Sequence, residues 1–410
     1  MGMALWRRKQ TPSFGTGPET VPVLPEAPAP DENGRRDLAA HQAWVLAQIA
    51  PLPALGLGLL DATGLTLCED LRAQTDLPPH PRAEVPGFAV DAAGMTQEAG
   101  RRAGMAVVEA GEALPEGTDT VVPRWLTRSD HSGVLRVTGR VRRGDWVRHV
   151  GDDAREGEPI ARAGEAVTPW LAARLAEAGY ERVLARPRVR VAVLSLEPEP
   201  DEATVAGASA APASYLVTMA LRADGATAWR LAVTGGAEAL RTTLNDELIR
   251  ADLLVCCGGL SGPQALLPGV LADLGPVDVC DLALAPGDRY GFARVGDESI
   301  PLLAVPGMTT AGLVAYLALV RPVLRALAGA TPDEPLVGRA LVDLPGPSPV
   351  RRFVLATLTR DGSLPGLRPW GSPTQARLRD LVTADAFMEL PAGGAPIGAG
   401  QSVAYWPLPY

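Results

Sequence analysis

The chain has 410 residues, 38 Lys+Arg against 47 Asp+Glu, a formal net charge of −9 and 47% hydrophobic residues. At ~100–200 residues per domain, that length allows two to four domains with chain enough for a buried core. An acidic balance with no dense basic stripe beyond the short run from Arg140 to Arg148 excludes a nucleic-acid platform. Lys9 is the one lysine, so a Schiff base, a general base or a phosphate clamp made of lysine is excluded beyond residue 9. Cys68, Cys256, Cys257 and Cys280 show no CxxC or paired metal spacing, and the adjacent pair sits in an apolar run as small buried hydrophobes. A reducing, cytoplasmic compartment is expected. The positive charges of residues 1–10 are followed by no apolar region of signal-peptide length. No segment offers the ~18–20 uninterrupted apolar residues of a membrane span, so a soluble protein is expected.

In chain order, residues 1–36 are rich in Pro, Glu, Thr and Gly without periodicity and read as a flexible tail. A helix follows from Asp37, its apolar face spaced by Leu38, Val45, Leu46 and Ile49 and ended by Pro51 and Pro53. Between residues 60 and 150, short extended runs (88–90, 105–109, 120–123, 134–137) alternate with turn residues, the pattern of a small all-β module. Helix returns near Thr168, a natural N-cap, with Pro169 in the first turn and Gly179 as terminator. After Pro187, strand and helix alternate: strands at 189–194, 228–233, 253–257, 277–284 and 301–305, helices at 214–223, 236–250, 263–274 and 310–327. That alternation predicts a mostly parallel sheet covered on both faces. Beyond Pro332 strands return at 339–342, 352–358 and 402–405, as in a small barrel or sandwich.

Ligands of open α/β sheets sit beyond the C-terminal ends of the strands, and three loops hold that position. The first runs from Ser195 to Glu202, with Glu197, Glu199, Asp201 and Glu202 as oxygen ligands for a hard cation such as magnesium, or as a solvated acidic loop. The second, Gly258-Gly259-Leu260-Ser261-Gly262, and the third, Val305-Pro306-Gly307-Met308-Thr309-Thr310, each lead from a strand into a helix. Their glycines let backbone N–H groups approach an anion at a helix N-terminus. His41, His80, His131 and His149 are scattered and read as surface or packing residues. Ser195 and Ser261 have no histidine nearby in sequence, so no nucleophilic triad is indicated.

Taken together, the segments resemble the MoeA-type molybdopterin molybdotransferases, the family that includes the E domain of gephyrin. Ala62-Thr63-Gly64-Leu65 through Cys68-Glu69-Asp70 is similar to A-x-G-R-x-L-A-E-D, and Asp76-Leu77-Pro78-Pro79 with Gly87-Phe88-Ala89 to D-x-P-P-F-D-N-S-A-M-D-G-Y-A. Gly111 to Val122 resembles G-A-x-L-P-x-G-A-D-A-V-V. Val147-Arg148 with Gly151-Asp152-Asp153 resembles V-R-x-x-G-E-D, and Ala163-Gly164 with Thr168-Pro169 resembles A-G-x-x-L-T-P. Ser195 to Glu199 stands at S-T-G-D-E, Gly258 to Ser261 at G-G-V-S, Ala285-Pro286-Gly287-Asp288 at K-P-G-K, and Val305-Pro306-Gly307 at L-P-G-N-P. The ordered series covers residues 37–410.

The resemblance implies a multidomain α/β and β fold: a central MoaB/MogA-like sheet, a β insertion domain, an elongated mixed domain and a C-terminal β-barrel. The expected units are a tail at 1–36, the elongated domain at 37–76 with 141–186, the insertion at 77–140, the α/β domain at 187–330 and the β domain at 331–410. It implies binding of adenylylated molybdopterin, hydrolysis of the adenylate with Mg2+, insertion of molybdate and release of AMP. It also implies a homodimer whose α/β cleft faces the partner subunit's insertion. By position it assigns catalysis to Asp153 and Glu199, with Glu199 also the metal ligand. Cofactor binding falls to Gly258, Gly259, Ser261, Gly262, Gly287, Arg289, Pro306, Gly307 and Thr309. Polar parts of the pattern are missing: Pro81 to Gly87 lacks both aspartates of D-N-S-A-M-D-G, the lysines of K-P-G-K are Ala285 and Asp288, and Gln264 and Ala265 stand where the glycine loop should carry an aspartate. Loss of several charge-stabilising groups predicts weakened or lost turnover. The alternative is a non-catalytic homodimeric scaffold on the same fold that binds a partner-protein peptide.

Overall fold

Every residue of Leu253–Cys257 is buried, and a strand hidden on both faces needs cover on both faces. The computed structural model, which describes residues 23–94, 106–129, 135–197, 211–261, 265–360, 362–371 and 377–408, supplies that cover. Seven strands form one sheet in the spatial order Arg35–Arg36, Val277–Leu282, Arg289–Val295, Ile300–Val305, Leu253–Cys257, Arg190–Leu196, Thr227–Val233. Arg289–Val295 runs antiparallel to both its neighbours, and all the other pairings are parallel. Side chains alternate across the sheet as strand geometry demands. Val191, Val193, Val255 and Cys257 face one core, with the Ala213–Ala223 helix and the long helix from Thr309 to Ala328. Ala192, Leu194, Leu254 and Cys256 face the other, under Gly236–Leu248 and Leu267–Leu274.

The Thr309–Ala328 helix, with a π turn at Tyr316–Val320, has the length and mean hydropathy (1.6) of a membrane span, yet 72% of its most apolar window is buried inside the protein. It is the core helix of the α/β unit.

The chain's beginning departs from expectation. Residues 1–22 lie outside the described residues, but the later part of the expected tail is built into the α/β unit. Arg35–Arg36 is its edge strand, and Arg36 grips Asp278 through both guanidinium nitrogens (2.5 and 2.9 Å). The helix Leu38–Leu46, N-capped by Asp37, packs on the same unit: Leu38 and Val45 belong to its core, and Trp44 meets Phe292 edge-on at 5.6 Å. By packing, these residues belong to the α/β unit and not to the elongated domain. The reason is long-range: the apolar face of a nine-residue helix goes to whichever core it can reach.

The elongated domain begins at the strand Leu55–Gly58, which pairs with Arg182–Ala185, and continues through Leu71–Arg72 paired with Pro159–Ala161. Its helix Pro169–Glu177 starts at Thr168, whose hydroxyl accepts the Leu171 N–H. The insertion is a three-stranded sheet with Gly87–Val90 between Ala106–Val108 and Thr120–Pro123. Val147 joins the insertion's core and Ala154 the elongated domain's, so the return crossing lies between them and not at residue 140. Five strands close the C-terminal barrel in the order Arg351–Thr359, Gly366–Pro369, Leu336–Ala340, Ser402–Pro407, Ala386–Leu390 and back to the first. A two-residue ladder, Leu284–Ala285 beside Arg351–Arg352, stitches the barrel to the α/β unit.

Candidate functional site

At the C-terminal ends of the central strands, the chain leaves the sheet through turns that only glycine fits. Gly258 and Gly259 have φ of +89° and +73°, and the Gly258 N–H is tied to the Val305 carbonyl (2.9 Å). A Cβ on Gly307 would lie 3.3 Å from the Gly258 Cα and 3.1 Å from the Ala211 Cβ, so two of the expected loops pack backbone to backbone. A third turn joins them: Gly287, at φ +86°, sits where a Cβ would be 2.9 Å from the Ala311 Cβ and 3.2 Å from the Pro306 Cγ. Helix Thr309–Ala328 starts among these turns without a side-chain cap at Met308, and its Gly312 N–H closes on the Met308 carbonyl. The N-terminal end of a helix carries partial positive charge.

The three turns enclose a cleft of about 1080 Å³, of the size that holds a nucleotide-scale ligand. Gly258, Gly259, Ser261, Gly287, Arg289, Pro306, Gly307 and Thr309 all line it. Gly262 and Glu199 lie outside the described residues, as does the acidic loop from Pro198 onward. Asp153 is not brought to this cleft. It sits in the elongated domain, 3.8 Å from the Arg148 guanidinium, with its N–H on the Leu77 carbonyl.

Glu197, the described carboxylate at the end of the first strand, turns back from the cleft. It accepts hydrogen bonds from the Ser195 hydroxyl (2.7 Å) and from Arg230 (2.8 Å), which also bonds the Ser214 hydroxyl and stacks over Tyr215. Among the described lining residues Asp288 is the one carboxylate, so these residues by themselves do not form a magnesium site. Two lining arginines had no signal in the sequence: Arg35 from the amino-terminal arm and Arg377 from the barrel. Both are distant in the chain from the glycine turns, and no spacing rule connects them.

A separate buried cluster lies behind the sheet edge. His41, Asp278 and Cys280 place potential ligand atoms within 4.8 Å of one another, but Arg36 already neutralises Asp278. Burial is the main cause that lowers the His41 pKa to about 4, helped by Arg36 and opposed by Asp278. Burial likewise pushes the Cys257 and Cys280 thiols up to about 12, consistent with inert, structural cysteines.

Two models of one family match the chain: "MoeA N-terminal region (domain I and II)" over residues 36–179 and "MoeA C-terminal region (domain IV)" over residues 337–408. The chain belongs to the MoeA family. It is 28% identical to molybdopterin molybdenumtransferase 1 of Mycobacterium tuberculosis over 90% of this chain and 98% of that one. It is 27% identical to the molybdopterin molybdenumtransferase of Bacillus subtilis over 85% and 88%. The crystal structure of a molybdopterin biosynthesis MoeA protein from Pyrococcus horikosii superposes with a TM-score of 0.68 at 22% identity, covering 91% of this chain and 99% of that one. The MoeA fold therefore holds along the chain, and the three glycine turns of the cleft lie between the two matched regions.

Proposed function

We propose that this MoeA-family chain acts in molybdenum cofactor synthesis, binding adenylylated molybdopterin in the α/β cleft and accepting molybdate there, with turnover weakened. The observation that carries the reading is the convergence of the three glycine turns on one cleft lined by main-chain donors and arginines. Each element has a task that its chemistry can perform. The turns at Gly258 and Gly287 bring backbone close to phosphate oxygens, and the N-terminus of the Thr309 helix sets its partial positive charge toward an anion. The guanidiniums hold oxyanions through paired N–H bonds. Turnover suffers because Ala285 and Asp288 line the cleft where the family motif has lysines, which removes one cation and introduces a negative charge beside a dianion.

Asp153, beside the return crossing from the insertion, is proposed to act on a partner subunit's cleft, in a homodimer whose α/β cleft faces the partner subunit's insertion. Divalent metal is proposed to require Glu199, since the described residues offer no carboxylate pair at the cleft.

Purified protein given adenylylated molybdopterin, magnesium and molybdate should release AMP above a no-protein control. Asp153→Ala should abolish the release. Sedimentation should give a dimer. No AMP from a folded dimer that still binds the pterin would overturn the enzymatic reading and favour the peptide-binding scaffold, which the lost lysines already support.

A further inference from the structure

The cleft's charge is opposite to that of the chain enclosing it. The protein is formally −9, yet the described lining residues carry Arg35, Arg289 and Arg377 against Asp288 alone. Arg289 lies 3.7 Å from Asp281, while neither Arg35 nor Arg377 has a carboxylate within ion-pair distance among the described residues. The three come from separate stretches of chain: the amino-terminal arm, the α/β unit and the barrel. Positive potential gathered from three parts of a negative protein implies a polyanionic ligand.

Arg35 is held ready. Its N–H donates to the Asp31 carboxylate at 2.8 Å, and the next residue, Arg36, is clamped on Asp278. Adjacent strand residues point to opposite sides, so anchoring Arg36 on the sheet edge turns Arg35 toward the cleft. Under the cleft wall Tyr290 is fully buried, and its hydroxyl has no hydrogen-bond partner among the described residues. It packs against the Gly287 turn, 3.0 Å from where a Cβ on Gly287 would stand, and fixes the wall from behind without lining the cleft.

We propose that Arg35 and Arg377 are the anion-binding side chains of this cleft, gripping a tetrahedral oxyanion, phosphate or molybdate, in place of the two lysines of the family motif. This rests on the functional reading above only for the identity of the ligand. The guanidinium fork pairs with two oxygens of one oxyanion where an ammonium acts as a point charge, so the substitution alters geometry as well as residue type.

The test is calorimetric titration of the full chain with AMP and, separately, with sodium molybdate at low salt. The wild type should bind both. Arg35→Gln and Arg377→Gln should each weaken binding about tenfold, Arg377→Lys should recover part of it, and Arg241→Gln on the Gly236–Leu248 helix, away from the cleft lining, should change nothing. Ligand-free melting temperatures should stay unchanged, since neither side chain is ion-paired among the described residues. Unchanged affinities in both glutamine variants, or no oxyanion binding by the wild type, would overturn the proposal. Failure of AMP release with arginine-dependent oxyanion binding intact overturns the functional reading and leaves the clamp standing.

Discussion

Replacing His41 should change how the protein tolerates acid. The ring is 1% exposed, 5.5 Å from the Trp44 ring, with Nδ1 3.8 Å from the Cys280 sulfur and with Asp278 and Arg36 as its charged neighbours. Folding lowers its pKa from 6.5 to about 4, chiefly through burial. The folded state therefore refuses a proton that the unfolded chain accepts. Stability from this group is complete above pH ~6.5 and is lost as pH falls toward 4, at about 1.4 kcal/mol per pH unit. That amounts to about 2 kcal/mol at pH 5 and about 3 kcal/mol by pH 4. The unit most exposed to the loss is helix Leu38–Leu46 with the arm before it, because Arg36 and a protonated His41 repel each other across Asp278. Hydrogen exchange of that helix's amides, corrected for intrinsic rates, should show protection falling between pH 7 and 5 in the wild type and much less in His41→Leu. AMP affinity should follow, since the same arm carries Arg35 into the cleft. Identical pH dependence in wild type and variant would refute the reasoning.

Gly287→Ala combines a φ of +86° with a Cβ 2.9 Å from that of Ala311, which has no flexible end to yield. It should cost about 2–4 kcal/mol, read as a fall in melting temperature together with lost oxyanion binding. Thr168→Ala removes the cap on Leu171 and should destabilise the elongated domain by about 1 kcal/mol in urea, while Thr168→Ser should be near neutral. Arg230→Met leaves Glu197 without its 2.8 Å partner in a pair whose side chains are 18% and 12% exposed. A loss of about 3 kcal/mol is expected, partly restored by adding Glu197→Gln, and a double-mutant cycle would measure the coupling.

The alternation of strand and helix, the barrel and the two strand-to-helix turns at Gly258 and Gly307 were legible because each is written locally in period and punctuation, whereas the Gly287 turn was marked only by its likeness to a family motif. The strand Arg289–Val295 was not legible. Arginines near both ends and Gly291 in the middle disguise a run whose Tyr290 and Phe292 are both buried on one face. The arm's own residues read as tail because its structure depends on Asp278, 242 residues away in the chain. Distance hid Arg377 as well, whereas Arg289 could be found beside a glycine turn. Carboxylates were the least legible. Glu197 stands at a family motif position, yet Arg230 draws it onto the sheet edge, and nothing in the order of residues announces that pairing.

The ladder between Leu284–Ala285 and Arg351–Arg352 makes the barrel part of the cleft's mechanics. The segment that forms the wall around Gly287 is also the hinge leaf on which the barrel hangs, and Arg351 carries the load onward to Glu389 and through it to Trp406. Excising the barrel would remove more than Arg377: it would leave the wall with one edge unsupported.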